Sequence, residues 1–417
     1  MKLNLDGNLW HHRDFSRLWF SETVSSFGSQ FSGLAIQFLA ILSFKATSFE
    51  YGALLALGIL PYPVLGLFVG VWADRFRKRR IMTLCNLGRM ATLASIPVAW
   101  ALGELGLAQL FLVTLTNGVF SVFFDISYQA YLPILVERAD LIEGNQKLQV
   151  SASGASVAGP AIAGFIYQLI GGALTCAVDA VGYLAASLAL LDIKKAEPKK
   201  DTHSRDFFSE MKEGIQVVSG NPLLWTIAGS TATSNLGAYM VGSAFNIFML
   251  RNIHYSAGEL GLVYTIGALG FVVGALVARR VTDALGFGPG LAVSIAIGGL
   301  AVLYPLAAYS LPFVLPPIVA FIIGISSPVY NISQVSLRQA ITPNRLQGRM
   351  NATMRVIVWG TIPVGSFVGG ILGGTIGLTD TMYLGGLIAG LAAVWIVFGP
   401  VMKLKTQPEP AYEPTVA

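Results

Sequence analysis

Gly70-Val71-Trp72-Ala73-Asp74-Arg75-Phe76-Arg77-Lys78-Arg79-Arg80 sets one acid and five bases within seven residues, between two long apolar runs. In a chain with only 12% charged residues, such a knot belongs where two membrane spans turn around in water. The flanking runs, and ten more like them, are each about 20 residues or longer, enough to cross a hydrocarbon core as a helix. The twelve spans are read near 17–43, 51–72, 81–102, 108–131, 147–170, 173–192, 223–250, 258–278, 288–310, 313–336, 351–373 and 381–402. With 54% hydrophobic residues over 417, the composition excludes an ordinary soluble domain. The fold class expected is an all-α membrane protein.

The formal charge of +5 invites a nucleic-acid reading, and its distribution argues against one. With the N-terminus inside, only Lys45 and Arg251 of the 27 Lys and Arg residues fall in outward loops. Arg89 lies within a span, and the remainder sit on or beside the inward side, which is the positive-inside signature. An even number of spans then leaves both termini cytoplasmic. Residues 1–14 are polar and the first apolar run is too long for the core of a cleavable signal, so span 1 is expected to direct insertion. Cys85 and Cys176 lie inside spans and offer no disulfide framework; they read as small core residues.

The longest polar stretch, 193–222, divides the chain into an N-terminal half (1–192) and a C-terminal half (223–402), followed by a tail (403–417). Lys194, Lys195, Lys199 and Lys200 would hold its start at an anionic leaflet. Phe207, Met211, Ile215 and Val218 recur at helical spacing, which predicts an amphipathic interfacial helix; the alternative is a disordered linker. The second half echoes the first. Leu18-Trp19 and Leu224-Trp225 are 206 residues apart, as are Asn145 and Asn351, Gly159 and Gly365, Gly164 and Gly370, and Gly171 and Gly377. Several matches at one offset indicate two six-helix halves related as parallel repeats.

Twelve spans, the duplication, a basic mid-chain loop and a charged turn after span 2 resemble the major facilitator superfamily. The turn is similar to that superfamily's signature Gly-x-x-x-Asp-Arg-x-Gly-Arg-Arg at Gly70, Asp74, Arg75, Lys78 and Arg79, and departs from it at Arg77. Gly154 followed by Gly159-Pro160-x-x-x-Gly164 resembles the span-5 signature of its exporters, with Ala163 in place of one Gly. Phe123-Phe124-Asp125-x-x-Tyr128-Gln129-x-Tyr131-Leu132-Pro133, Asn145 and Asp179-Ala180 resemble the drug:proton antiporter branch that holds macrolide efflux proteins and a catecholate siderophore exporter. The resemblance implies two pseudo-symmetric six-helix bundles with spans 1, 4, 7 and 10 lining a cavity. It also implies that Asp74 caps the start of span 11 in one conformation and releases it in the other. The alternative for the turn is a set of solvated charges that only fix topology, a reading that fits Arg77 to Arg80.

Charges inside spans are costly and mark function or pairing. At 1.5 Å per residue, Glu22 lies about 8 Å, Asp125 about 9 Å and Arg89 about 12 Å from the inward ends of their spans. The three therefore share a layer in the cytoplasmic third, where Arg89 is expected to pair with Asp125 and leave Glu22 unpaired. Desolvation favours the neutral form of an unpaired carboxyl, which suits reversible protonation. Three readings stand for Glu22 and Asp125: proton coupling, a structural or gating ion pair, and binding of a substrate cation. Asp179 reads as a packing or outer-gate hydrogen-bonding residue outside the cavity. Gly154, Gly159, Pro160 and Gly164 read as a pliable hinge or as close packing of small residues.

In the second half Asn235, Tyr239, Asn246, Tyr330, Asn331 and Gln334 are hydrogen-bonding and aromatic groups suited to a bulky amphiphile; the alternative is that they only join helices. No phosphate-binding Gly-rich loop is present, so the proton gradient, without a cofactor, is the expected energy source. The four His lack metal-ligand spacing, no metal site is expected, and no nucleophile–base set points to an enzyme. The expected partners are a small-molecule substrate, protons and the lipid bilayer, with no nucleic acid and with the monomer as the working unit. The expectation is a secondary transporter of a bacterial inner membrane that exports a drug, siderophore or secondary metabolite. An uptake permease and a non-transporting scaffold or receptor are its rivals. Asp74→Asn is expected to leave insertion intact and to shift inward against outward accessibility labelling; unchanged labelling and transport would remove Asp74 from the gate.

Overall fold

A computed structural model describes residues 8–73, 76–137, 140–195, 197 and 207–408. Asp74 and Arg75 of the signature turn lie outside these residues, as do Lys199 and Lys200. Every regular element among the described residues is helical, the result required of a chain whose backbone polar groups must be satisfied without water. Ten segments are long and apolar enough to cross a membrane. One of them, Leu141–Leu191, is two spans folded about Gly171, whose φ of 79° interrupts the helix. Pro222–Ile247, prolonged by Phe248–Asn252, supplies the remaining span, for a total of twelve.

Span 1 is Arg13–Phe38 with Leu39–Ser43, span 2 is Ser48–Ile59 with Pro61–Ala73, span 3 is Lys78–Leu102 and span 4 is Leu107–Leu135. Spans 5 and 6 flank Gly171, and a linker helix, Phe207–Gly220, precedes span 7. Span 8 is Ala257–Leu285, and span 9 runs through Phe287–Ile297, Gly298–Leu303 and Tyr304–Ser310. Spans 10, 11 and 12 are Leu315–Ile341, Asn344–Thr375 and Leu378–Val397. Leu84, Leu112, Leu188 and Leu276 are each more than half exposed, as side chains facing lipid would be.

The duplication extends to local geometry that no residue match discloses. Span 1 ends in a π-helical turn at Leu39–Ser43, and span 7 in another at Phe248–Asn252. Each is followed by a left-handed non-glycine residue, Lys45 (φ 50°) and His254 (φ 62°). A capping box comes next. Thr47 N–H donates to Glu50 Oε2 at 2.7 Å while Glu50 N–H donates to Thr47 Oγ1 at 3.2 Å. Ser256 and Glu259 repeat both bonds at the same two distances. Two otherwise orphaned amides are thereby satisfied at each helix start.

The chain divides into two compact units. The first comprises Met1–Ala46, Leu57–His203 and Tyr255–Thr265, and the second Thr47–Ala56, Ser204–His254 and Ile266–Ala417. Each takes in a short segment from the other half of the sequence. The first unit's main core gathers Phe15, Leu18, Met82, Tyr131, Leu148 and Leu190. These lie toward the end where spans 1 and 3 begin and spans 4 and 6 finish.

That end of the first unit is tied by charge. Asp14 accepts the amides of Lys194 and Lys195 at 3.2 and 3.0 Å, and Arg17 pairs with Asp192. Glu197 accepts the amides of Lys78 and Arg79 at 2.6 and 2.9 Å, and the Arg79 guanidinium donates to the Ile193 carbonyl. A carboxylate thus sits on the N-terminus of span 3, where orphan amides and the helix dipole favour it. The expectation of freely solvated bases from Arg77 to Arg80 is corrected here. Arg77 and Arg80 are exposed, whereas Lys78 is 4% exposed and Arg79 is half-buried, where Glu197 caps their amides.

In the second unit the linker helix docks on span 11. Gly214 lies against the Arg349 carbonyl, Val218 is buried with Met350 and Met354, and Glu213 pairs with Arg349. The face that docks therefore carries Gly214 and Val218, while Ile215 of the predicted apolar stripe is half exposed. Glu197→Ala is expected to cost about 0.5–2 kcal/mol through loss of the span-3 cap. The loss should appear as a lower thermal midpoint of the detergent-purified protein. Substitution of the exposed Lys212, which makes no such contact, should leave the midpoint in place.

Candidate functional site

Glu22, Asp125 and Arg89 line one cavity of about 350 Å³ inside the first unit. Span 1 contributes Glu22, Ser25, Ser26, Ser29 and Gln30, span 2 Tyr62, span 3 Arg89, and span 4 Ser121, Phe124 and Asp125. The helices begin and end farther out than the apolar runs do. Counted from Arg13, Lys78 and Leu135, the three charges lie about 14, 17 and 15 Å along their axes. They share a layer, as expected, and lie farther from the helix ends than from the ends of the apolar runs.

Within that layer the pairing differs from expectation. The Tyr62 hydroxyl donates to Asp125 Oδ2 at 2.6 Å, and no ion pair between Arg89 and Asp125 is formed. Arg89 is 3% exposed. Its guanidinium carbon lies 4.8 Å from the Phe124 ring centre and 5.3 Å from that of Tyr183. Cation–π contacts of this kind are worth about 2 kcal/mol once desolvated, and they hold the side chain between rings of spans 4 and 6. Its Nε is buried with no hydrogen-bond partner among the described residues. Glu22 accepts from Ser26 at 3.4 Å through Oε1, while its Oε2 is buried without a partner among the described residues. Glu22 is thus only weakly held.

Tyr62, which stands between Pro61 and Pro63 in span 2, was not singled out by the sequence. The signal lies in those prolines. The helix stops at Ile59 and restarts at Pro61, since proline cannot continue the hydrogen-bond ladder, and the break falls beside the tyrosine that meets Asp125.

The span-5 residues separate. Gly154 meets nothing within 4 Å of its notional Cβ, so close packing does not account for it. A Cβ on Gly159 would stand 2.6 Å from Cγ of Gln30, a residue of the cavity wall, and one on Gly164 would stand 2.3 Å from the Ala257 carbonyl. The Ala161 amide, next to Pro160, donates to Thr265 Oγ1 at 3.2 Å. Gly159 and Gly164 are therefore points of close approach within the first unit.

The second-half candidates do not form one group. Tyr330 is buried and shares a 2.8 Å hydrogen bond with Thr231. Gln334 donates to Asn331 at 3.0 Å, and its own carbonyl oxygen is buried without a partner among the described residues. Asn235 donates to the Val358 carbonyl at 2.9 Å, and Tyr239 is half-buried farther along span 7. Asn246 stands apart: it is 1% exposed and donates to the Tyr51 hydroxyl at 2.8 Å. It lies about 36 Å along span 7, whereas Tyr330 lies about 16 Å from the end of span 10. That separation places Asn246 in a helix-joining contact.

Twelve spans in two repeats, with a buried charge layer opening on a cavity, define a multi-pass membrane transporter. Residues 10–415 match the family model described as transmembrane secretion effector, and the chain belongs to that family within the major facilitator superfamily. It is 25% identical over 404 residues to macrolide efflux protein A of Streptococcus pyogenes, covering 94% of this chain and 97% of that protein. It is 25% identical to the enterobactin exporter EntS of Citrobacter koseri, covering 79% of this chain and 77% of that one. A bacterial homologue of the iron transporter ferroportin, solved in an inward-facing state, shares the fold with a TM-score of 0.77. It is 16% identical and covers 93% of this chain and 98% of its own.

Tyr62→Phe tests the site's wiring. The variant should insert normally and lower the transport rate about tenfold, the kinetic equivalent of about 1.4 kcal/mol for one hydrogen bond to a charged group. Wild-type rates in a normally expressed variant would show that this bond is unused.

Proposed function

We propose that this protein exports a small amphiphilic molecule across a bacterial inner membrane in exchange for protons, as a monomer with both termini in the cytoplasm. The observation that carries the reading is the composition of the first-unit cavity: two carboxyls and one guanidinium in a single buried layer. In surroundings of low dielectric one cation balances one carboxylate. The second acid then stays neutral only with a proton aboard, and that proton is the exchangeable one. Glu22, with one weak hydrogen bond, is the better placed to gain and lose it. Asp125, braced by Tyr62, is the partner charge.

Export is supported by the family and by two relatives, a macrolide efflux protein and an enterobactin exporter. Ligand contacts fall to Tyr330, Asn331, Gln334, Asn235 and Tyr239, which offer aromatic faces and hydrogen-bonding groups without a formal charge. An amphiphile needs both, with apolar contact supplying affinity and a few polar groups supplying orientation. Gly159 enters through Gln30, since any side chain there displaces a residue of the cavity wall.

Everted membrane vesicles acidified by respiration provide the test. Adding a transported macrolide such as erythromycin should release protons from the lumen, read as recovery of a quenched acridine dye. Glu22→Gln and Asp125→Asn should each abolish that recovery while leaving the protein in the membrane. Full recovery in both variants would remove these acids from the drive.

A further inference from the structure

The first unit holds a third carboxyl that the cavity does not include. Asp179 of span 6 lies about 18 Å from Leu191 along its helix, level with Arg89 and Asp125 to within a few ångströms. It is 2% exposed, and neither oxygen has a hydrogen-bond partner among the described residues. No cation stands within ion-pairing distance among those residues. The Ser32 hydroxyl faces it but is engaged with the Gly28 carbonyl at 3.3 Å.

The carboxyl has a fitted seat. A Cβ on Gly28 of span 1 would stand 1.8 Å from Asp179 Oδ1 and 2.9 Å from its Cγ. Span 1 therefore leaves out a side chain at the one place where this acid enters. A group retained for packing alone needs no charge-bearing oxygens, and one retained for hydrogen bonding would have found donors. An ionised carboxylate left here without donors would cost several kcal/mol, so the group in this conformation is a neutral acid.

The titratable and charged neighbours are few. Cys176 and Tyr183 face it from span 6, and Arg89 from span 3; span 1 presents Gly28 and Ser32. Arg89 is the link to the cavity. Its guanidinium rests on Tyr183, one helical turn from Asp179, and on Phe124 of the cavity wall, with Nε unpartnered among the described residues. The Tyr183 hydroxyl is 3.0 Å from that of Ser29, a residue of the cavity wall. The charge of Arg89 thus acts on all three acids without a close pair to Asp125 or Asp179.

We propose that Asp179 is a second proton-binding site of the transporter, seated against Gly28 outside the cavity, that competes with Glu22 and Asp125 for Arg89. When the guanidinium turns from the cavity toward span 6, Asp179 gives up its proton and becomes the counter-ion. The cavity carboxylate that loses Arg89 takes that proton, so the net charge of the four groups is unchanged. The use of this exchange in transport rests on the proton-antiport reading above; the proton on Asp179 does not.

Infrared difference spectra of the full-length protein in liposomes, titrated from acid to alkaline pH without substrate, carry the test. A neutral carboxyl in an apolar seat has a carbonyl stretch resolved from that of ionised carboxylates. Asp179→Asn should abolish one such band, which Glu22→Gln and Asp125→Asn leave in place. In Arg89→Gln the band should persist across the whole titration, because the cation that draws the proton off is gone. Should Asp179→Asn fail to insert, aspartate-specific carbon-13 labelling of Asp125→Asn must still shift a neutral-carboxyl band. An unchanged spectrum in Asp179→Asn, or no shifted band under labelling, overturns the proposal. The vesicle measurement with Glu22→Gln and Asp125→Asn fails or succeeds independently, so the two readings can be told apart.

Discussion

A guanidinium deep within a membrane-spanning bundle has to be compensated by the protein itself, since neither water nor counter-ions can do it at that depth. The arrangement of the first unit follows from this one requirement. Arg89 could have been neutralised by a close ion pair, which would hold both partners in place and be costly to break. Instead its charge rests on two aromatic faces, with Glu22 and Asp125 in the same cavity and Asp179 at a similar depth. Aromatic contact satisfies the cation partly and without commitment to one acid. A charge held in this way can change partners through a side-chain rotation, whereas a bidentate pair would have to be broken first.

Backbone satisfaction imposes a second layer of order, and it explains why the repeat is more exact in geometry than in residues. The end of an odd-numbered span and the start of the next must satisfy several amides and carbonyls within a few residues. The solution at residues 39–50 is a π-turn, a left-handed residue and a capping box; the same solution recurs at 248–259 with different side chains. Lys45 and His254 share only their conformation, and Thr47 and Ser256 only a hydroxyl. At these two corners the hydrogen-bond pattern is the same while the side chains differ.

The sequence disclosed the spans, the duplication and the common layer of the charges, because each depends on spacing along a helix whose rise is fixed. What it did not disclose depends on rotation and on contacts between distant segments. Glu22, Arg89 and Asp125 were legible as a layer, but whether Arg89 met Asp125 turned on Tyr62, a residue 63 positions from Asp125 with an unremarkable side chain. Lys78 read as a solvated base because Glu197 lies 119 residues away. Asn246 and Tyr330 looked like a common set by composition, and helix rise alone separates them. The linker helix had the right period, yet its docked face is set by Gly214, a residue that no hydrophobicity scale marks.

The uneven distribution of charge between the halves has a physical rationale. A proton site needs acids whose ionisation is sensitive to a nearby cation, and sensitivity of that kind is greatest where the dielectric is low and water sparse. A site for a bulky amphiphile needs apolar faces and hydrogen-bonding groups that tolerate several poses. Placing both functions on the same residues would make each ligand perturb the proton equilibrium differently. On the antiport proposal, the acids and Arg89 of the first unit carry the proton, and the uncharged Tyr330, Asn331 and Gln334 of the second, with Arg338 near Tyr330, are left to the ligand.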